Sequence, residues 1–523
     1  MKKFYQRIEF WIFIFFFIRL IGITNPPLEI GHNWRQVTGL MVARNFLEVD
    51  ANILYPRIDD NNGNTGIIGM EFPSMNYIYF MLAKIFGYTH WYGRLINLII
   101  SSLGLFFFYK LICLANFKER IAFISTIFLT TSIWFSFSRK MMPDTYCISI
   151  MFIGLYYGLR YLEEKKTYQI FLYMIFGSLA VLSKIPACIY LVFPVLYLLN
   201  NRIALKEKVI LAVSTIPSLV LSYLWYFKWN FKLSSEFGNW YNSGKSFKTG
   251  FVEIIENIDK TLHNFYFDAF ASYIVFTLFI IGLVLMVIKK DRKMIITFLL
   301  PFVIFILYIF KSGFYFYHHN YYIIPFVPIM ALIAGYTLSL IKKQWIFLTV
   351  LFLGVGESIA NQQHDFFIKE SEKYKMSIEQ IMDKVSTRDD LILLNGNGNP
   401  QMIYLSHRKG WNCTDEQLSD TSYINKIISR KCKFIVINKH SNVDLNKMTL
   451  SFNKVFENDD FLIMNTSTIA NKVYSNKWFN GNSSVLPCSN FGVVGQESKS
   501  KSFTAYNLYR LGLIILHVKF FGP

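Results

Sequence analysis

The stretch that decides the reading of this chain is Gly31–Pro73, GHNWRQVTGLMVARNFLEVDANILYPRIDDNNGNTGIIGMEFP. It is a polar loop set between a first apolar segment and the many that follow. Imidazole, guanidinium and carboxylate groups (His32, Arg35, Gln36, Arg57, Asp59, Asp60 and Glu71) are gathered in it. Hydrophobic runs on both sides place this polar chemistry beside a membrane.

Working outward, the 523 residues are 53% hydrophobic and 18% aromatic but only 17% charged, and apolar runs near twenty residues recur through the first 360 positions. That pattern excludes an ordinary soluble enzyme and specifies a polytopic α-helical membrane protein. The net charge of +19 does not point to nucleic acid, because the Lys and Arg residues fall in short clusters between apolar runs, as cytoplasmic anchors do. The six cysteines are scattered without metal-ligand spacing, which predicts neither a disulfide framework nor a structural zinc site.

About eleven spans are expected, at 8–24, 91–114, 120–137, 145–162, 168–182, 185–199, 208–227, 271–288, 294–310, 320–340 and 344–360. No small-residue cleavage site follows the first of them, so it reads as an anchor with a cytoplasmic N-terminus. With eleven spans, Lys118/Arg120, Lys165/Lys166, Arg202/Lys206/Lys208, Lys289–Lys293 and Lys342/Lys343 all fall on the cytoplasmic side. The outer face then receives a large first loop, 25–90, together with Arg139–Asp144, Ser183–Lys184, 228–270 and Lys311–Tyr322. Within the first loop, Trp34–Leu47 and residues 74–87 are expected as helices on the membrane surface. Residues 361–470 carry the buried-strand patterns LILLN, FIVIN and FLIMN between helical segments, a small extracytoplasmic α/β domain. Residues 471–523 read as a poorly ordered polar tail.

Several outer-face residues suit chemistry on a phosphorylated or hydroxylated substrate. Glu71 precedes Phe72-Pro73, where proline stiffens the backbone, and is a candidate base; capping the next helix is its structural alternative. His32 is a second candidate base, because an imidazole titrates near neutral pH, or else an interfacial cap. Asp144 is a third, with a cap on the helix starting at Thr145 as the alternative. Arg139 and Lys140 run against the positive-inside tendency, for which an anionic ligand would be a reason, and Lys184 interrupts AVLSKIPACIYL where two apolar segments meet. Phosphate is the natural guest for Lys184, Arg139 and Arg35, with snorkelling as the bland reading. Gln36, Asp59, His318, His319, Tyr321 and Tyr322 are assigned to substrate binding, the last four in an aromatic wall that would otherwise serve as a membrane belt. No cofactor is implied; a divalent metal stays open, since His and carboxylate spacing across loops carries no ligand signature.

The long first outer loop, two interfacial helices, Glu71-Phe72-Pro73, the cations near spans three to six, and Tyr321, Tyr322, Pro325 and Pro328 together resemble membrane glycosyltransferases of the GT-C fold. The nearest branch is that of the protein mannosyltransferases and the lipid A aminoarabinose transferase. The resemblance implies transfer of a sugar from a polyprenyl-phosphate donor to an envelope glycan, lipid or protein acceptor on the outer face of a bacterial inner membrane. Two departures stand out: the acidic pair usual after span one is replaced by His32-Asn33-Trp34-Arg35-Gln36, and the Lys that often follows the Glu is Phe72. A transporter or flippase of lipid-linked sugars is the alternative, though no matching pair of interrupted halves is visible. A glycan-binding scaffold is a third class, for which eleven spans exceed what anchoring needs.

Overall fold

The computed structural model describes residues 3–194, 203–238, 244–443 and 452–467. The chain divides into two compact units, Met1–Asn476 and Lys477–Pro523, and all described residues belong to the first. The expected tail 471–523 lies outside them.

The helical part begins with α1 (Ile8–Arg19), α2 (Asn33–Glu48), α3 (Ser74–Phe86) and α4 (Tyr92–Leu114), then α5 (Glu119–Thr131), the short α6 (Trp134–Phe137), α7 (Pro143–Glu164) and α8 (Thr167–Ser183). Local chemistry sets several of their ends. Pro143 occupies the first position of α7, where its missing N–H costs nothing. Lys184 leaves α8 in extended conformation, and Pro186 takes a first-turn position of the 3-10 segment Ile185–Val192, where its missing N–H is tolerated. Further on, Ser272 Oγ accepts from Val275 N at 3.2 Å to start Tyr273–Ile288, and Asp291 Oδ1 accepts from Met294 N at 3.1 Å to start Arg292–Ser312.

Four helices among the described residues are long and apolar enough to cross a membrane: Tyr92–Leu114, Leu205–Phe237, Arg292–Ser312 and Gln344–Phe366. Ile258–Asp268 and Tyr273–Ile288 make a fifth if counted as one span bent by 101°. The expectation of eleven is therefore not met by length and composition. Helix breaks are the reason for three of the segments, and α1 and α8 are too short, at 12 and 17 residues. The segment expected at 120–137 is interrupted at Ser132, that at 185–199 opens as a 3-10 turn over Ile185–Val192 and runs beyond the described residues after 194, and that at 320–340 is α-helical only from Val327 to Ser339. A periodicity reading sees continuous apolar sequence in each and cannot register where the chain turns.

The helix expected over Trp34–Leu47 is present as α2, but it does not lie on a surface. Arg35 through Phe46 are all buried, which explains why its sequence has polar residues on every side. α3 does show an exposed apolar face, with Ile78, Met81, Ile85 and Phe86 outward, as a membrane-contacting helix requires.

Beyond Phe366 the chain forms a five-stranded sheet of order β2-β1-β3-β5-β4. β1 (Ile392–Leu394), β2 (Gly410–Asn412) and β3 (Phe434–Asn438) are parallel, whereas β4 (Asn453–Glu457) and β5 (Phe461–Asn465) pair antiparallel. β1, β3 and β5 are the three expected strands, buried along nearly their whole length, as continuous apolar runs in a covered sheet must be. The sheet unit is tied to the first loop by Gln401 Nε2 to Pro27 O at 2.7 Å, Trp34 Nε1 to Gly398 O at 3.2 Å and a parallel bridge between Asp60 and Gly410.

Candidate active site

Two oppositely charged pairs and a group of aromatic rings meet where α2, α3, α7 and α8 end together. Arg35, on the first turn of α2, is ion-paired with Glu71, and both side chains are buried. Lys184, just past α8, donates from Nζ to Asp144 Oδ1 at 2.5 Å, and Asp144 is 4% exposed. The Lys184 ammonium also lies over the Tyr321 ring at 5.0 Å and near that of Tyr322 at 5.9 Å, a cation–π arrangement. Asp144 Oδ2 has no hydrogen-bond partner. An ionised carboxylate with one oxygen on a lysine and the other uncommitted is equipped to accept a proton from a third group.

The backbone around these groups is held from several sides. Phe72 N donates to Leu182 O at 3.1 Å, and the hydroxyls of Ser74 and Ser183 share a hydrogen bond at 2.7 Å, so the Glu-Phe-Pro turn and the end of α8 are fastened together. Trp225 Nε1 and Asn230 Nδ2 both donate to Met70 O, at 2.8 and 2.7 Å. The loop before α7 is gathered by Asn97, whose amide donates to the carbonyls of Phe137, Lys140 and Met142 at 3.1, 2.8 and 3.1 Å. Met141 in that loop fits between Gly39 of α2 and Gly93 of α4. A Cβ on Gly93 would come within 2.0 Å of its sulfur.

His32 sits at the edge of this group, in the left-handed region at φ 57°. Its Nε2 is 3.0 Å from Asn320 Oδ1, and its ring stands edge-on to Tyr321 at 4.9 Å. Burial, with Lys140 and His319 nearby, lowers its pKa to about 3. The imidazole is thus neutral at pH 7, contrary to the expected titration near neutrality. His319 stacks on Tyr321 at 5.2 Å, and burial, helped by His318, Lys184 and Arg35, lowers it to about 4. Its neighbour His318 stacks instead on Phe314 and is exposed. Tyr322 stacks on Tyr308 at 5.9 Å.

Three expected site residues are engaged elsewhere. Arg139 is 1% exposed and wholly committed to the protein: it donates to Arg19 O at 3.0 Å and Ile21 O at 2.7 Å, and pairs with Glu29 at 3.3 Å. Glu29, also buried, takes Arg94 as a second cation at 3.2 Å. Asp59 is bound by Arg44 at 2.6 Å and Asn45 at 2.8 Å, fastening the first loop to α2. Gln36 accepts from Met141 N at 3.2 Å and so supports the loop before α7. A buried charge needs a partner, and for Arg139 and Asp59 the fold supplies one. Sequence reading passed over Tyr226, whose hydroxyl donates to Leu182 O at 2.7 Å, and Asp365, the partner of Lys140 at 2.6 Å. Only Lys140, beside Arg139 in the sequence, offered a signal. Among the described residues no three His, Cys, Asp or Glu side chains gather as metal ligands.

The family model for dolichyl-phosphate-mannose-protein mannosyltransferase matches residues 71–227, from Glu71 through the end of the α8 region and beyond. A comparison with curated proteins gave no match. Among solved structures, ArnT from Cupriavidus metallidurans bound to undecaprenyl phosphate is similar with a TM-score of 0.58 and 13% identity, over 87% of this chain and 98% of that one. Its apo state gives a TM-score of 0.53 at 11% identity, with the same coverage. The archaeal oligosaccharyltransferase AglB from Archaeoglobus fulgidus, in complex with an inhibitory peptide and a dolichol-phosphate, gives 0.51 and 11%, over 83% of this chain and 70% of that one.

Proposed function

Because the chain is a membrane protein with the GT-C fold, we propose that it is a glycosyltransferase that moves a sugar from a polyprenyl-phosphate carrier to an acceptor hydroxyl. The observation that carries this reading is the meeting of Lys184–Asp144 with Arg35–Glu71 under the Tyr321/Tyr322 rings. Each cation is paired with a carboxylate, which keeps two buried charges from standing alone. A donor phosphate offers the cations a second anion to bind.

In the proposed step the acceptor oxygen attacks the anomeric carbon while the bond from that carbon to the phosphate oxygen breaks. The bonding pair leaves with the lipid phosphate, and Lys184 and Arg35 stabilise the charge that develops there. The acceptor proton passes to a carboxylate. Asp144, with Oδ2 uncommitted, suits that role; Glu71 is the second candidate. One in-line displacement inverts the anomeric centre. Neutral His32 and His319 orient rather than titrate, and Tyr321 and Tyr322 supply a stacking wall for the sugar.

In this reading the first loop and residues 361–470 occupy the outer, periplasmic face of a bacterial inner membrane, supported by the lysine clusters at the opposite ends of the apolar segments. The donor is of undecaprenyl type and the acceptor an envelope glycan, lipid or protein. The test is consumption of a panel of polyprenyl-phosphate sugars by the purified protein with an envelope extract, followed by mass spectrometry. Consumption of one donor by the wild type and not by Lys184→Ala supports the reading. A folded wild type that consumes none, or a product with retained configuration, overturns it.

A further inference from the structure

A second concave site opens where the far end of α2 meets the sheet unit. It is a cavity of about 700 Å³, within the size range of small-ligand sites. Apart from Val49, the side chains that line it are charged or titratable: Arg44, Glu48 and Asp59 on one side, Arg388, Asp389 and the run His407-Arg408-Lys409 on the other. Arg35 and Arg44 are nine positions apart on α2, so the cavity begins about 14 Å along the helix from the paired carboxylates.

Most of these groups hold the walls in place. His407 bridges them, with Nδ1 2.9 Å from Glu379 Oε1 and Nε2 2.8 Å from Glu48 Oε1. Both partners accept only, so both ring nitrogens donate and the bridge is an imidazolium. Arg408, 1% exposed, is spent on Asp383, Ser386 and two backbone carbonyls. Arg388 pairs at the rim with Glu379 and Asp383. Two donors are left over. The Lys409 ammonium makes no hydrogen bond or ion pair, although its charge is felt by Glu48. Arg44, 3% exposed and paired through Nη2 with Asp59, has its buried Nε without a partner. On the acceptor side, Asp389 is exposed and uncommitted.

We infer that this cavity binds an acidic sugar, its carboxylate or phosphate taken by the uncommitted Lys409 ammonium and its hydroxyls by Glu48 and Asp389. A bare phosphate would be opposed by those carboxylates, and an apolar ligand would strand every charge in the wall. A sugar that carries one anionic substituent among several hydroxyl donors satisfies both sides of the wall at once. The inference rests on the transferase reading for its role: the cavity holds a unit of the acceptor remote from the reacting hydroxyl, where binding energy orients the chain without touching the bond being made.

The experiment uses the full-length protein in phosphatidylcholine nanodiscs, titrated calorimetrically with tetragalacturonic acid, with neutral maltotetraose and with inorganic phosphate. Saturable binding of the acidic tetrasaccharide in preference to both others is expected. Affinity should fall about tenfold or more in Lys409→Glu, the loss of a charge-assisted contact, and recover in Lys409→Arg. Equal binding of acidic and neutral sugars, or undiminished affinity in Lys409→Glu with an unchanged melting temperature, overturns the site. Nanodiscs containing phosphatidylglycerol test the anion's source: competition with the oligosaccharide supports the site and assigns it an acidic lipid headgroup. Donor consumption on the same preparations separates the two readings. If the transferase reading fails, no donor is consumed while Lys409-dependent binding persists; if the acceptor site fails, donor consumption persists without it.

Discussion

Lys184 and Asp144 stand forty positions apart in the chain and 2.5 Å apart in the fold, with the ammonium over the Tyr321 ring. One residue ends α8 and the other begins α7, so the pair closes the same end of an antiparallel helix couple. Each charge neutralises the other.

Lys184→Ala should lower the rate of sugar transfer about 100-fold or more, in line with the loss of one preorganised donor to a developing charge. Lys184→Arg should recover part of it. Asp144→Asn keeps the shape and removes the proton acceptor, with a comparable loss expected in kcat. Single-turnover donor consumption measures each, and full activity in Asp144→Asn would transfer the base role to Glu71.

Breaking a buried pair leaves an uncompensated charge. Glu29 is buried between Arg94 and Arg139, so Glu29→Gln should destabilise the protein by about 3–5 kcal/mol. The effect belongs to stability rather than to transfer chemistry. A drop in thermal midpoint together with near-normal kcat in the surviving folded fraction is the expected result.

The fit of Met141 between two glycines predicts a steric effect. In Gly93→Ala the added Cβ would meet the Met141 sulfur at 2.0 Å, against 3.2 Å to the nearest Met141 atom in Gly39→Ala. Overpacking of this kind costs about 1–3 kcal/mol. Gly93→Ala should lower both the melting temperature and turnover more than Gly39→Ala, because the displaced loop leads directly to Asp144.

The His407 bridge makes the join between α2 and the sheet unit pH-dependent. Burial alone would lower its pKa, but hydrogen bonds to Glu379 and Glu48 outweigh burial and raise it. Its contribution to stability is thus fully present below the ordinary histidine value of about 6.5 and is lost as pH rises through the raised value. Glu379 is lowered to about 2, by His407 first and then Arg388 against burial; its contribution is present above about 4.5 and fades as pH falls toward 2. Wild type should therefore lose stability relative to His407→Gln on going from pH 6 to pH 9, measured by thermal unfolding in nanodiscs.

Much of the bundle's position in the chain was legible in sequence. The apolar runs located most of the helices, and LILLN, FIVIN and FLIMN located three strands. The break at Ser132 was not legible, since it lies inside continuous apolar sequence, whereas the one at Lys184 was marked by its charge. Within the site, Glu71, Asp144, Lys184 and Arg35 stood out because charged residues beside long apolar flanks are costly without a use. Arg139 stood out for the same reason and proved to be the partner of Glu29, a residue 110 positions earlier.

By itself the sequence determined a membrane bundle, a polar first loop and a small sheet, because apolar periodicity and strand pattern are local properties. Which charge meets which was decided only by tertiary structure. Lys140 finds Asp365 across 225 positions, and Arg44 on α2 reaches Asp59 and the carbonyl of Tyr404. Ion pairing depends on distances between elements distant in the chain. Only the packing of those elements separates a cation committed to holding the fold from one left for a ligand.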